Sequence, residues 1–295
     1  MAEKSTSRDA GIAYLDEQIS ESYEGDETYE LANILKHLLA ENGITPQETA
    51  QQIDSFYEDK FVPSQPIFQK EKSIGMINLL GALDELLCNL GRVLRYDDVR
   101  QDALIQVILE LRKLPTRQVE IWGDECTVYK DDPIFGVLVH ECWNMYFVHR
   151  QTPGTPSEVQ ESCDQYVNLS SFIARCTSAG LLVDKHGNEY KYSTFDVSRG
   201  VEEEIPRGNI RNARILAAAN YILLAGSGIR NYCHSYPSDS DRGKSARDMW
   251  NLWKEKFVAI AEGQDEDPEI KDATKKAHAI MVELDASGHD VESTS

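Results

Sequence analysis

The chain has 295 residues, 41% of them hydrophobic and 27% charged, enough to bury a sizeable core and too apolar for wholesale disorder. With 50 acidic residues against 30 basic ones the formal charge is −20, a field that repels phosphate backbones and argues against nonspecific nucleic-acid binding. Six cysteines (Cys88, Cys126, Cys142, Cys163, Cys176 and Cys233) form no CxxC pair, and the polar start Met1–Asp9 has no signal-peptide core. The expectation is a cytoplasmic protein with reduced thiols, a nuclear location staying open.

Helix-start signals run the length of the chain. Periodic apolar positions predict helices over Ala10–Tyr23 and Thr28–Glu41. Thr45-Pro46-Gln47-Glu48 is a capping box with proline at the first helical position, so a third helix is predicted over Pro46–Lys60. Two more follow, Lys70–Leu90 and Asp97–Leu114. The segment Thr116–Asp131 reads as a linker. Asp132-Pro133 then starts a helix Pro133–Arg150 that is apolar on nearly every face and is expected to be central to the fold.

A second capping box, Thr155-Pro156-Ser157-Glu158, opens Pro156–Ser178. Leu181–Pro206 is expected to be irregular, either a lid or binding loop or a simply mobile segment, with room for a short hairpin around Asp184–Asn188. Helix Asn209–Ile229 includes the apolar run Ile215–Ala225, interrupted by Asn220 and far short of the roughly 20 residues a membrane helix needs, so it reads as a buried helix. Two helices close the chain, Ala246–Glu262 with Met249, Trp250, Trp253, Phe257 and Ile260 on one stripe, and Pro268–Asp285, opened by Asp267-Pro268-Glu269, with a matching stripe, Ile270, Ala273, Ala277, Ile280, Met281 and Leu284. The match makes the tryptophans a packing seam and not an exposed recognition face. Gly43, Gly91, Gly180 and Gly263 are placed as left-handed helix ends.

The fold class is therefore all-α, a single large domain of about nine or ten helices with one long irregular insertion. Residues 1–115 form an N-terminal helical part, 116–285 a helical core and 286–295 a disordered tail.

No phosphate loop, nucleophile elbow or kinase signature is present, so no cofactor, metal or catalytic residue is assigned. Asp97-Asp98-Val99-Arg100-Gln101-Asp102 faintly resembles the aspartate-rich motif of terpene cyclases, but no second metal motif follows and carboxylates gather at helix starts anyway. The polar residues His140, Glu141 and Asn144 on the apolar helix, with Asn168 and Arg175 on Pro156–Ser178, are the candidate ligand-binding set. A buried polar group must find a partner or line a cavity. An internal network, with Arg175 paired to Glu141, is favoured over a pocket floor. The leading expectation is a non-enzymatic interaction or regulatory protein. The alternative is a binder of a small apolar molecule, or an enzyme of fungal secondary metabolism, with an interhelical pocket; no membrane partner is expected.

Several segments carry a resemblance: Trp122; Trp143-Asn144 with Phe147; Asn168-Leu169-Ser170-Ser171-Phe172-Ile173-Ala174-Arg175; Leu216–Ile222 with Gly226; Trp250-Asn251-Leu252-Trp253-Lys254 with Phe257; and Ala277 to Met281. In that order they resemble a fungal family catalogued only as a domain of unknown function, number thirty-six thirty-two, over about Thr116 to Leu284. The resemblance implies a helical intracellular protein and brings no catalytic residues with it.

Overall fold

The computed structural model describes residues 7–61, 69–145, 154–182, 191–235 and 240–292. The all-α class holds: eleven helices and one two-stranded hairpin make up the regular structure of these residues. They pack as two compact units, Met1–Met145 and Tyr146–Ser295.

In the first unit, α1 (Ser7–Glu21), α2 (Glu27–Leu39), α3 (Pro46–Phe61), α5 (Arg100–Leu111) and α6 (Pro133–Met145) all pack around α4 (Gln69–Val93) or its neighbours. The Thr45 capping box forms as expected: the Glu48 N–H donates to Thr45 Oγ1 at 3.2 Å and the Thr45 N–H to Glu48 Oε2 at 2.8 Å. α4 includes an apolar window, Ile74–Val93, long enough by composition to cross a bilayer, and most of it is buried against the other helices. Leu79, Leu80, Leu83, Leu86 and Leu87 are its core residues. The buried amide of Gln101 on α5 donates to the carbonyls of Gly91 and Leu94 at 3.1 and 2.8 Å, satisfying groups the α4 C-terminus leaves open.

Thr116–Asp131 is not a linker. It contains β1 (Gln118–Ile121) and β2 (Asp124–Thr127), antiparallel, with Gln118 opposite Thr127 and Ile121 opposite Asp124. Trp122 and Gly123 form a two-residue turn with φ of 53° and 90°, the left-handed geometry that matches strand twist.

In the second unit α9 (Asn209–His234) is the hub, packed by α7 (Pro156–Ser178), α8 (Lys191–Val201), α10 (Asp241–Glu262) and α11 (Pro268–Glu292). Within α9 Ala217 to Ile222 are consecutively buried, as the apolar run Ile215–Ala225 leads one to expect, and in α7 Tyr166 to Ala174 are buried in the same way. The Pro133 helix is the correction: on α6 only Ile134, Phe135, Val139 and Trp143 are buried, and Val137 and Met145 are exposed.

Leu181–Pro206 is the second correction. Residues 183–190, where the hairpin was expected, lie outside the described residues, but Lys191–Val201 is α8. Its buried face includes Ser193, Asp196 and Gly200 beside Tyr192, Val197 and Val201, so polar and small residues interrupt the apolar period. Gly200 lets α8 approach α9 closely: a Cβ there would lie 2.5 Å from the Arg214 carbonyl oxygen and 2.6 Å from the Ala218 Cβ. Of the four glycines placed as left-handed ends, only Gly180 adopts that conformation, with φ of 67°. There the Leu181 N–H reaches the Cys176 carbonyl at 2.9 Å and the Gly180 N–H the Thr177 carbonyl at 3.1 Å, a Schellman end. Gly91 instead lies inside α4. α11 continues to Glu292, into the segment expected to be disordered.

The tryptophan seam is core. Trp250, Trp253 and Phe257 are almost wholly buried, as are Ile270, Ala277 and Met281 on α11. Trp253 Nε1 donates to Glu202 at 2.7 Å and Trp250 Nε1 to Asp285 at 3.0 Å, so each indole is buried with its one donor satisfied. Trp253→Ala therefore costs about 3–5 kcal/mol in a chemical melt, and a loss below about 1 kcal/mol would place the ring outside the core.

Candidate functional site

A two-stranded hairpin is marginal alone and must be held by its surroundings. Here Ile121 and Cys126 are buried, and β1 packs on α4. The decisive contact is Arg117, just before β1. Its guanidinium pairs with both Asp54 and Glu58 on α3. It also lies over the rings of Tyr57, at 5.2 Å, and Tyr129, at 5.9 Å. Two carboxylates and two aromatic faces thus hold one cation, and the Arg117 carbonyl extends the ladder by accepting from the Val128 N–H at 2.9 Å. Gln118 Nε2 adds a cross-strand bond to Thr127 Oγ1 at 3.1 Å.

Two features of the hairpin run against its own stability. Trp122 sits at positive φ, where a bulky side chain is disfavoured and Asn or Gly is usual, and its ring is 66% exposed. Glu120 and Glu125 are directly opposite each other on the solvent face, a like-charged pair, with exposed Asp124 beside the turn. The tip therefore displays a large aromatic ring amid three carboxylates.

Behind the hairpin, Tyr129 is buried and also in the left-handed region, with φ of 61°. Burial pushes its phenol well up, with the Asp54 carboxylate adding to the shift. Tyr129, Asp84, Arg112 and Asp132 line a cavity of about 20 Å³ with Leu80 and Phe135. Asp132 caps α6, accepting from the N–H groups of Ile134 at 2.9 Å and Phe135 at 3.2 Å. Asp84, from the middle of α4, is buried and hydrogen-bonded to Asp132. Burial pushes the Asp84 carboxyl well above the usual range, and the charge of Asp132 pushes it further. Burial raises Asp132 as well, opposed by its two backbone N–H donors. Two neighbouring buried carboxyls disfavour a second charge, and their interaction raises Asp84 while it lowers Asp132, so of the two it favours the neutral form at Asp84.

The residues singled out from sequence fall into the two units separately. His140, Glu141 and Asn144 are on α6 in the first, and Asn168 and Arg175 on α7 in the second. Glu141 and Asn144 are exposed; Asn144 Nδ2 and His140 Nε2 are 3.0 Å apart, and the His140 and Trp143 rings stack at 6.0 Å. Asn168 is buried, and Arg175 Nη1 reaches the Ser171 carbonyl at 3.4 Å. The buried side-chain contact in this region is Asn220 Nδ2 to Ser171 Oγ, 2.9 Å, tying α9 to α7. Two open grooves of about 580 and 570 Å³ flank Glu204, Ile205 and Pro206, and neither lining includes Asn168 or Arg175. Asp98, in the aspartate-rich stretch, is held by Arg100 at 2.6 Å.

Residues 85–257, more than half of the chain, match the family described as Protein of unknown function (DUF3632). The chain belongs to this family. The DUF3632 match takes in the hairpin, α6 to α9 and most of α10, and it begins one residue after Asp84. No curated protein and no solved structure matches.

The Asp84–Asp132 pair makes a signed prediction. A carboxyl whose folded-state pKa is raised gives its full stabilisation below about pH 4, where the unfolded aspartate is also protonated. That stabilisation erodes by about 1.4 kcal/mol per unit as pH climbs toward the folded-state value. Asp84→Asn keeps a donor toward Asp132 without a titrating proton, so its stability relative to the native chain rises as the pH climbs above about 4. Parallel stability curves for the two proteins in urea melts would contradict the neutral form at Asp84.

Proposed function

We propose that this protein works by docking to a partner protein and not by catalysis, with the β1–β2 tip as its contact. The observation that carries the reading is the coincidence of two uncompensated local costs at one exposed point: Trp122 in the left-handed region and Glu120 directly opposite Glu125. Local rules broken together at a rigidly held surface mark a place kept for something other than stability. Trp at the centre of a contact is a frequent source of binding energy, because it buries a large ring at small entropic cost.

The partner's chemistry follows from the flanks. Glu120, Asp124 and Glu125 ask for a basic surface around an apolar slot that accepts the indole, and a chain of charge −20 is steered toward such a surface. The same carboxylates disfavour an anionic membrane. A cytoplasmic location, expected from the thiols, belongs to the same proposal.

The test separates docking from stability. A photo-reactive phenylalanine placed at Asp124 in the full-length chain, in its own cells, is expected to trap a protein with a basic surface. Trp122→Gly and Glu125→Lys should each leave the hairpin as stable as before or firmer by about 0.2–1 kcal/mol, since they remove strain and repulsion. Each should also weaken binding to the trapped partner by about tenfold or more. No adduct, an adduct only between copies of the chain, or unchanged affinity in both variants would overturn the reading.

A further inference from the structure

Asp84 of α4 and Tyr129, just past β2, border the same small cavity in the first unit. Both residues are interior, 3% and 4% exposed. Asp84 Oδ2 and Tyr129 Oη are buried atoms, and neither has a protein partner at hydrogen-bonding distance among the described residues. The Asp54 carboxylate acts on the Tyr129 phenol from nearby without closing to that distance. A buried polar group left in this way costs about 1–3 kcal/mol. Two of them at one cavity call for a common explanation.

The cavity measures about 20 Å³, and its apolar walls include Leu83 and Leu87 of α4, Ile108 of α5 and Phe135 of α6, all buried. One water needs about 10–15 Å³ of such space and about two to four polar partners, so there is room for one and not for a second. Cavities that stay dry are apolar, whereas Asp84, Arg112, Tyr129 and Asp132 give this one polar edges. Those edges also select a neutral occupant. A small cation would want about six oxygens around it and would meet the Arg112 guanidinium, and an anion would meet two carboxyls.

We propose that this cavity is a binding site for one ordered water, which bridges Asp84 Oδ2 and Tyr129 Oη. The Tyr129 hydroxyl donates to the water, and the water donates to Asp84 Oδ2, so one molecule satisfies both atoms. The bridge ties the segment leaving the hairpin to the middle of α4. It is a second hold on that segment beside the Arg117 clamp, and it stands whatever the hairpin tip contacts. It also gives the carboxyl inside the leucine run of α4 a polar partner other than Asp132.

A crystal structure of the full-length protein, at a resolution where ordered waters are seen, should show a single peak in the cavity. That peak should lie about 2.5–3.0 Å from both Asp84 Oδ2 and Tyr129 Oη. In solution, oxygen-17 relaxation dispersion detects waters held inside a protein. Tyr129→Phe keeps the ring and removes one partner, so the residence time of one such water should fall about fivefold or more. Tyr57→Phe, whose ring also lies beneath Arg117 but outside the cavity, should leave that water unchanged. An empty cavity, a peak touching only one of the two atoms, a peak ringed by oxygens at the about 2.0–2.6 Å of a metal ion, or identical dispersion in Tyr129→Phe would overturn the proposal. The structure of the unaltered protein decides it even if the variant does not fold.

Discussion

A guanidinium partly withdrawn from water gains from keeping its charge paired, and Arg117 is paired with Asp54 and Glu58 on α3 and lies over the faces of Tyr57 and Tyr129. Most of what distinguishes the first unit depends on this clamp. It fixes the hairpin on the helices. Tyr129 is shared between the clamp and the Asp84–Asp132 cavity, so the buried carboxyl pair and the start of α6 belong to the same constellation. With its base held in this way, the hairpin can carry an exposed Trp122 at positive φ without fraying.

Each unit is organised by one helix with unusual burial. α4 is leucine-rich and admits a single buried carboxyl, Asp84, whose charged form is disfavoured by burial and by Asp132. α9 is built from alanines around Tyr221 and Asn220, and its close packing with α8 requires Gly200. The polar groups in both cores act mainly as connectors: Gln101 closes the end of α4, Asn220 ties α9 to Ser171, and Asp285 collects Arg230, Lys254 and the Trp250 indole. Such contacts add specificity to packing whose bulk stabilisation is apolar.

How much of this was legible in the sequence depended on whether a signal was local. The capping boxes at Thr45 and Thr155 and the carboxylate starts at Asp132 and Asp267 can be read from a few residues, and all four form. The stripe on α10 and its match on α11 place Trp250 and Trp253 in the core by period alone. The hairpin was missed because Trp122-Gly123 is an unusual pair for its turn, although Val119 and Ile121 on one side and Cys126 and Val128 on the other alternate as strands do. α8 was missed because its inward face carries Ser193, Asp196 and Gly200. For the site the same limit applied. A lone aspartate inside the leucine run of α4 is a visible oddity, but its partner Asp132 is distant in sequence, as are Asp54 and Glu58 from Arg117. His140, Glu141 and Asn144 were singled out on the premise of a buried α6, and two of the three are exposed.

The claim on which the account turns is that Arg117 makes the hairpin a rigid support for Trp122. Amide hydrogen exchange on the full-length chain, compared with Arg117→Met, tests it directly. The account predicts that the strand amides of 118–121 and 124–127 exchange about tenfold faster or more in the variant while α1 and α2 keep their protection. Unchanged protection across both strands would contradict it.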